Sequence, residues 1–139
     1  MTKLLLITHD ELLAAAYASR LVKSGFDVEH RATGDEGLLK ARRWSPDIIL
    51  LDLTLPGMHG LDVIKWVREV PWLVKVPIVL LIERTLAKDV LEECLFWGAG
   101  SYVQKDTASL QEILAHVQTV LSAQPPAQRL PPPAKAEAS

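Results

Sequence analysis

Short runs of large aliphatic residues recur along this chain, and they constrain its fold more than any other feature. They are Leu4–Ile7, Ile48–Leu51 and Pro77–Ile82. Because polar residues do not alternate within these runs, each is typical of a strand that is buried on both faces of a parallel sheet. Parallel strands need long connections, so the chain must supply helices that cover both sides of the sheet.

The stretches between those runs have the periodicity of amphipathic helices. Two further short strands are predicted at Phe26–His30 and Ser101–Gln104. The spacing predicts helices over residues 10–24, 34–44, 61–70, 87–97 and 107–122. Five strands that alternate with five helices predict an α/β protein with a doubly wound, five-stranded parallel sheet and right-handed crossovers. The last helix can be capped by Ser109, which has capping-box spacing to Glu112, or by Asp106.

Length and composition suit one globular domain and exclude several classes of protein. The chain has 139 residues, of which 49% are hydrophobic and 23% charged. Its net charge of −2 argues against a broad basic surface that binds nucleic acid. No apolar run approaches the roughly 20 residues that span a bilayer. A lone cysteine, Cys94, excludes an intrachain disulfide and a cysteine-based zinc site. We therefore expect a cytoplasmic protein that contacts neither nucleic acid nor membrane directly.

The C-terminal residues differ in composition from the rest of the chain. Residues 123–139 contain five of the nine prolines and a single large aliphatic residue, Leu130. Such a segment buries too little apolar surface to offset the entropy cost of ordering it. We predict a folded domain over residues 1–122 and a proline-rich, disordered tail over 123–139.

Charged residues directly follow three of the predicted strands. They are Asp10, Asp52 and Lys105. The carboxyl ends of parallel strands share one edge of a sheet, where ligands bind, so these side chains should converge. Two carboxylates repel each other unless a cation neutralises them; Lys105 supplies one charge and Mg²⁺ could supply more. Taken singly, Asp10 could be a helix N-cap, Asp52 a solvated strand-end acid and Lys105 a surface lysine.

Two segments resemble the receiver domain of bacterial two-component response regulators. Residues 46–61, PDIILLDLTLPGMHGL, look like the family's phosphoacceptor strand and the loop after it. Residues 98–106, GAGSYVQKD, resemble the strand that carries the family's active-site lysine. The resemblance covers about residues 3–122 and implies a flavodoxin-like (β/α)5 fold with strand order 2-1-3-4-5.

The resemblance also implies roles for individual residues. Asp52 would accept a phosphoryl group from a histidine kinase or phosphotransfer protein, and Lys105 would hold the phosphoryl oxygens. Asp10, Asp52 and the backbone carbonyl of Thr54 would bind Mg²⁺. A receiver is not an enzyme acting on a separate substrate, although it catalyses phosphotransfer to its own aspartate. It would act on a downstream protein target or an output domain, with homodimerisation through the face from the fourth to the fifth helix as a further expectation.

Three residues depart from the family pattern in the acidic pocket. His9 replaces the first acid of the usual pair, Ile82 replaces the usual switch hydroxyl, and Glu83 replaces a small residue. The switch aromatic is kept as Tyr102. Two hypotheses follow: a receiver that is phosphorylated on Asp52 but has an altered switch, or a pseudo-receiver that binds proteins without phosphorylation. A small-molecule or flavin binder is disfavoured because no glycine-rich loop follows the first strand.

The fourth predicted helix offers a candidate interaction surface. Its predicted core stripe is Val90, Leu91, Cys94 and Leu95. Phe96 and Trp97 fall outside or at the edge of that stripe, so they are candidates for a protein interface. The remaining tryptophans are predicted to pack in the core or at helix edges, since no basic stripe accompanies them: Trp44, Trp66 and Trp72.

Overall fold

The computed structural model describes residues 1–123, in which five strands alternate with five α-helices. The strands are β1 (Lys3–Ile7), β2 (Asp27–Arg31), β3 (Ile48–Asp52), β4 (Ile78–Ile82) and β5 (Ser101–Gln104). The helices are α1 (Glu11–Lys23), α2 (Gly34–Trp44), α3 (Gly60–Glu69), α4 (Lys88–Phe96) and α5 (Leu110–Ser122), with a 3-10 helix at Pro71–Leu73. The predicted tail lies outside the described residues, except for Ala123, the C-cap of α5.

The strands form one parallel sheet in the order β2-β1-β3-β4-β5, which confirms the predicted topology. The predicted aliphatic runs become the three central strands, because only central strands are covered on both faces. Residue Ile7 of β1 pairs with Leu51 of β3, so the residues that follow them emerge side by side at the carboxyl edge. The order of the strands reverses between β1 and β3, where ligands bind in open sheets of this kind.

Alternate residues of the central strands pack into two separate cores, one on each face of the sheet. One face buries Leu5, Ile7, Ile49, Leu51, Leu80 and Ile82 with side chains of α2, α3 and α4. The other face buries Leu4, Leu6, Ile48, Leu50, Val79 and Leu81 with side chains of α1 and α5. No helix within residues 1–123 is long and apolar enough to cross a lipid bilayer.

Side-chain caps determine where several helices begin. The carboxylate of Asp10 accepts a hydrogen bond from the backbone N–H of Leu13 and caps α1. Ser109 and Glu112 form a complete capping box, so α5 begins at Leu110 and not at residue 107 as predicted. Asp106 does not cap this helix; it accepts a hydrogen bond from the backbone N–H of Arg84.

The predicted core stripe of α4 is only partly right. Cys94 is fully buried and Leu91 packs against the core, but Val90 and Leu95 are 38% and 37% exposed. Helix α4 has only nine residues, and its neighbours cover only the middle of its apolar stripe. The residues at the two edges of that stripe are therefore exposed to solvent. Of the two places predicted for Trp66, the core is wrong, because this side chain is 52% exposed.

Arg68, which was not predicted to have a role, links α3 by hydrogen bonds to the 3-10 helix and to the residues after α4. The guanidinium of Arg68 donates to the carbonyl oxygens of Leu73 and Gly98, at 2.8 and 2.7 Å. Burial lowers the pKa of Arg68 to about 10. Gly98 has a φ of +117°, and a Cβ on this residue would meet the Arg68 side chain, so a glycine is required beside the guanidinium.

Candidate functional site

The candidate site is centred on Asp52, the last residue of the central strand β3. The aliphatic run of β3 continues without a break up to this residue, so the strand carries a carboxylate into a position that is only 1% exposed. Burial of an ionised carboxylate is costly unless hydrogen bonds and an opposite charge compensate it. The contacts of Asp52 therefore decide what this edge of the sheet can do.

Four hydrogen bonds surround the carboxylate of Asp52. The ammonium of Lys105 lies 3.0 Å from Oδ1 and 2.9 Å from Oδ2. The backbone N–H of Thr54 donates to Oδ1 at 2.9 Å, and the hydroxyl of Thr8 donates to Oδ2 at 2.8 Å. A carboxylate has about four lone-pair sites, so its hydrogen-bonding capacity is filled. The Lys105 side chain is itself only 12% exposed, which makes this a buried ion pair.

Thr8 is the residue of this site that sequence reasoning missed. It follows β1, is completely buried, and also accepts a hydrogen bond from the backbone N–H of Asp10 at 3.2 Å. The signal that could have found it is register: Ile7 pairs with Leu51, so the next residue of each strand stands beside the other. A polar residue that ends the first aliphatic run is therefore adjacent to Asp52.

Asp10 lies next to this cluster but has a different environment. It is exposed, and one carboxylate oxygen caps α1 through the N–H of Leu13 at 3.0 Å. The phenol of Tyr17 is affected by the charges of both acids. Burial is the largest cause, and the negative charges of Asp52 and Asp10 add to it, so that the pKa of Tyr17 is raised to about 12. Asp52 is thus in direct contact with Lys105. Asp10 lies at the side of the pocket and is linked to Asp52 by the hydroxyl of Thr8, which contacts both residues.

The oxygen atoms at this edge suit a magnesium ion. The two carboxylates of Asp10 and Asp52 and the backbone carbonyl of Thr54 are hard oxygen ligands, which Mg²⁺ prefers in small number together with water. No group of three or more histidine, cysteine, aspartate or glutamate side chains within residues 1–123 could hold a metal ion. The donor set therefore fits an ion that keeps several waters and does not fit one that needs a complete protein cage.

The two departures on the β4 side have clear structural consequences. Ile82 is 4% exposed and packs in the core, so it offers no hydroxyl to a ligand. Glu83 is half exposed, and its Oε1 lies 4.0 Å from the ammonium of Lys105. Arg84 does not neutralise this carboxylate, because its guanidinium and its N–H face Asp106. Lys105 is therefore shared between a buried and an exposed carboxylate.

His9 and Tyr102 are both exposed to solvent. His9 is exposed and has no hydrogen-bond partner in the part of the chain that the structure describes. The neighbouring Asp10, and not His9, caps α1. Tyr102 lies on the edge strand β5 and is 43% exposed.

Comparison with known protein families gives one clear match. The profile of the response regulator receiver domain family matches residues 4–118. The chain is 36% identical over 121 residues to the sensory transduction protein RegX3 of Mycolicibacterium smegmatis, covering 87% of this chain and 51% of that protein. It is 31% identical over 125 residues to the response regulator ArlR of Staphylococcus saprophyticus, covering 90% and 54%. The chain thus spans about half the length of these curated relatives.

Solved structures of similar proteins agree with that match. The chemotaxis protein CheY4 of Vibrio cholerae superimposes with a TM-score of 0.81 at 28% identity, covering 86% of this chain and 98% of that one. The receiver domain of the sensor histidine kinase PA1611 of Pseudomonas aeruginosa, with magnesium in its active site cleft, gives 0.79 at 25% identity, covering 88% and 98%. Sequence, topology and structural likeness agree: the chain belongs to the family of response regulator receiver domains, which are signalling modules of two-component systems rather than classical enzymes.

Proposed function

We propose that Asp52 accepts a phosphoryl group from the phosphohistidine of a histidine kinase or phosphotransfer protein. The observation that carries this proposal is the buried carboxylate at the carboxyl edge of β3, with Lys105 2.9 Å away. Such a pair is weak evidence for a stabilising role, because desolvation of two charges offsets most of their attraction. A buried acid and ammonium at the edge where ligands bind is well suited to phosphoryl transfer.

The transfer needs only groups that the site and the partner provide. One oxygen of Asp52 attacks phosphorus, the new O–P bond forms, and the P–N bond to the partner's imidazole breaks, so that the imidazole leaves with the electron pair. Lys105, whose ammonium now contacts both carboxylate oxygens, would shift to the phosphoryl oxygens. The N–H of Thr54 would keep the carboxylate oriented for attack.

Magnesium is the cofactor that we propose for this step. Asp10, Asp52 and the carbonyl oxygen of Thr54 would hold the ion, which would neutralise negative charge on the phosphoryl oxygens. The magnesium in the active site cleft of the PA1611 receiver domain supports this assignment. Because His9 replaces an acid next to Asp10, we expect weaker magnesium binding than two adjacent acids would give.

The second candidate function is that of a pseudo-receiver, a protein-interaction module that works without phosphorylation. Two observations favour it. Ile82 fills a core position and donates nothing to a phosphoryl group, and Glu83 brings a carboxylate within 4.0 Å of the Lys105 ammonium. A negative charge at that place repels phosphoryl oxygens and competes with them for the lysine.

Intact-mass spectrometry after incubation with acetyl phosphate and Mg²⁺ separates the two functions. We expect the wild-type chain to gain the mass of one phosphoryl group. Asp52→Asn should abolish the gain, whereas Asp27→Asn, at the exposed start of β2 on the opposite edge of the sheet, should keep it. If the wild type gains no mass and its tryptophan fluorescence does not respond to Mg²⁺, the phosphoacceptor function is wrong and the pseudo-receiver is favoured.

We further propose that signalling occurs by protein contact in the cytoplasm, with no direct role for nucleic acid. Phe96 at the end of α4 is 81% exposed and packs edge to face on Trp97, with ring centroids 5.7 Å apart. Exposed aromatic side chains of this kind are frequent in interfaces. If the face from α4 to α5 forms a homodimer, sedimentation should show a dimer that Phe96→Ser dissociates; an unchanged mass would exclude this residue from the contact.

A further inference from the structure

The hydroxyl of Thr8 has a fixed orientation. It lies 2.8 Å from Oδ2 of Asp52 and 3.2 Å from the backbone nitrogen of Asp10. The N–H of Asp10 can only donate, so it occupies a lone pair of the hydroxyl, and the single hydroxyl proton is left for the carboxylate. Thr8 is fully buried and Asp52 is 1% exposed, so water does not compete for this hydrogen bond.

We propose that this hydroxyl shortens the lifetime of the phosphoryl group on Asp52, an inference that rests on the proposed phosphoacceptor function. In hydrolysis, a water oxygen attacks phosphorus and the bond between phosphorus and the Asp52 oxygen breaks. The carboxylate leaves with the electron pair, and both protons of the water stay with the released inorganic phosphate. Thr8 is the positioning residue for the carboxylate that is regenerated.

The effect follows from how the strength of this hydrogen bond changes with the charge of its acceptor. Hydrogen bonds to an ionised carboxylate are roughly twice as strong as those to a neutral acceptor. In the phosphorylated state the oxygen facing Thr8 is either the acyl carbonyl or the bridging oxygen, and neither carries the full charge. The hydroxyl therefore stabilises the departing carboxylate more than the phosphorylated aspartate, which lowers the barrier to hydrolysis.

The forward transfer should respond much less than hydrolysis. Phosphoryl transfer passes through a loose transition state in which the aspartate oxygen still carries most of its charge. The hydrogen bond from Thr8 is thus similar in the free carboxylate and in the transition state. Lys105 would be engaged with phosphoryl oxygens at this stage, which leaves Thr8 and the N–H of Thr54 as the donors fixed on the carboxylate.

The test compares three proteins: the wild type, Thr8→Val and Thr8→Ser. Each is phosphorylated with acetyl phosphate and Mg²⁺, freed of the donor by desalting, and followed by intact mass. We expect Thr8→Val, which keeps the shape of the side chain but lacks the hydroxyl, to lose its phosphoryl group about five-fold more slowly, with the rate of formation changed less than about two-fold. Thr8→Ser, which restores the hydroxyl, should lose it at nearly the wild-type rate.

Several results would overturn the inference, and they are distinguishable. Equal decay rates for the wild type and Thr8→Val overturn it while the phosphoacceptor function stands. Equal slowing of formation and decay, or no rescue by Thr8→Ser, indicates a structural role only and also overturns it. If the wild type gains no phosphoryl group, the proposed function fails and this inference fails with it. Should Thr8→Val not fold, as judged by circular dichroism, Thr8→Ala carries the same comparison.

Discussion

Replacement of Lys105 by methionine should destabilise the fold more than replacement of its partner Asp52 by asparagine. Removal of one member of a buried ion pair typically lowers the free energy of unfolding by about 3–5 kcal/mol, because it leaves the other charge buried without a partner. In Lys105→Met the carboxylate keeps its hydrogen bonds from Thr8 and Thr54 but is only 1% exposed, so water replaces the lost ammonium poorly and we expect a loss of about 2–3 kcal/mol. In Asp52→Asn the ammonium of Lys105, whose side chain is 12% exposed in the wild type, can turn to Glu83 or solvent, so we expect a loss of about 1 kcal/mol or less.

Urea unfolding followed by tryptophan fluorescence at neutral pH measures both losses. The double variant should lose less free energy of unfolding than the sum of the single variants, because no charge remains in the pocket. Lys88→Met is the matched control: this lysine is 90% exposed and pairs with Glu92 one turn away, so its replacement should cost less than about 0.5 kcal/mol. The reasoning is refuted if Lys105→Met costs less than about 1 kcal/mol, or if Asp52→Asn costs as much.

Three further predictions concern residues around the site. Since the pKa of Tyr17 is raised to about 12, the folded state holds this proton more tightly than the unfolded state; its contribution to stability is present below about pH 10 and is lost as pH rises toward 12. Tyr17→Phe should flatten that part of the stability profile, and an unchanged slope in urea unfolding would contradict the assignment. Gly60→Ala should cost about 1–3 kcal/mol, because a Cβ would lie 2.9 Å from the Cα of Leu53, whereas Gly100→Ala, with its nearest neighbour at 4.0 Å, should be close to neutral by the same assay. Ile82→Thr should restore a hydroxyl at the switch position and enlarge the fluorescence response to acetyl phosphate and Mg²⁺; an unchanged response would show that the missing hydroxyl is unimportant.

The sheet could be predicted closely because its physical signal is strong. A run such as Ile48–Leu51 has no polar face, and only a strand covered on both sides accommodates it, so β3 and β4 begin and end within one residue of the prediction. The carboxyl ends of parallel strands lie at one edge of the sheet, so the charged residues at the ends of β3 and β5 meet there. The contact between Asp52 and Lys105 could therefore be expected, although the two residues are far apart in the chain.

The features that sequence reasoning missed depend on lateral packing. The position of Thr8 beside Asp52 can be predicted only when the register of β1 against β3 is known. Without the register, a threonine at the end of a strand gives no sign of a functional role. The spacing of Val90 and Leu95 shows which side of α4 is apolar, but not how much of that side its neighbours cover. Arg68 was missed because a guanidinium that binds only carbonyl oxygens leaves no paired acid in the sequence to suggest it.

The order in which the chain is synthesised gives the buried ion pair a further consequence. Asp52 belongs to the third strand, and the ammonium that neutralises it arrives 53 residues later, after the fifth strand. A nascent chain that has not yet emerged beyond β4 therefore holds an acid with no counter-ion and an unprotected strand edge. Closure of the sheet by β5 and neutralisation of the acid take place together, so an incomplete translation product should be recognised by quality-control proteases far more readily than the finished domain.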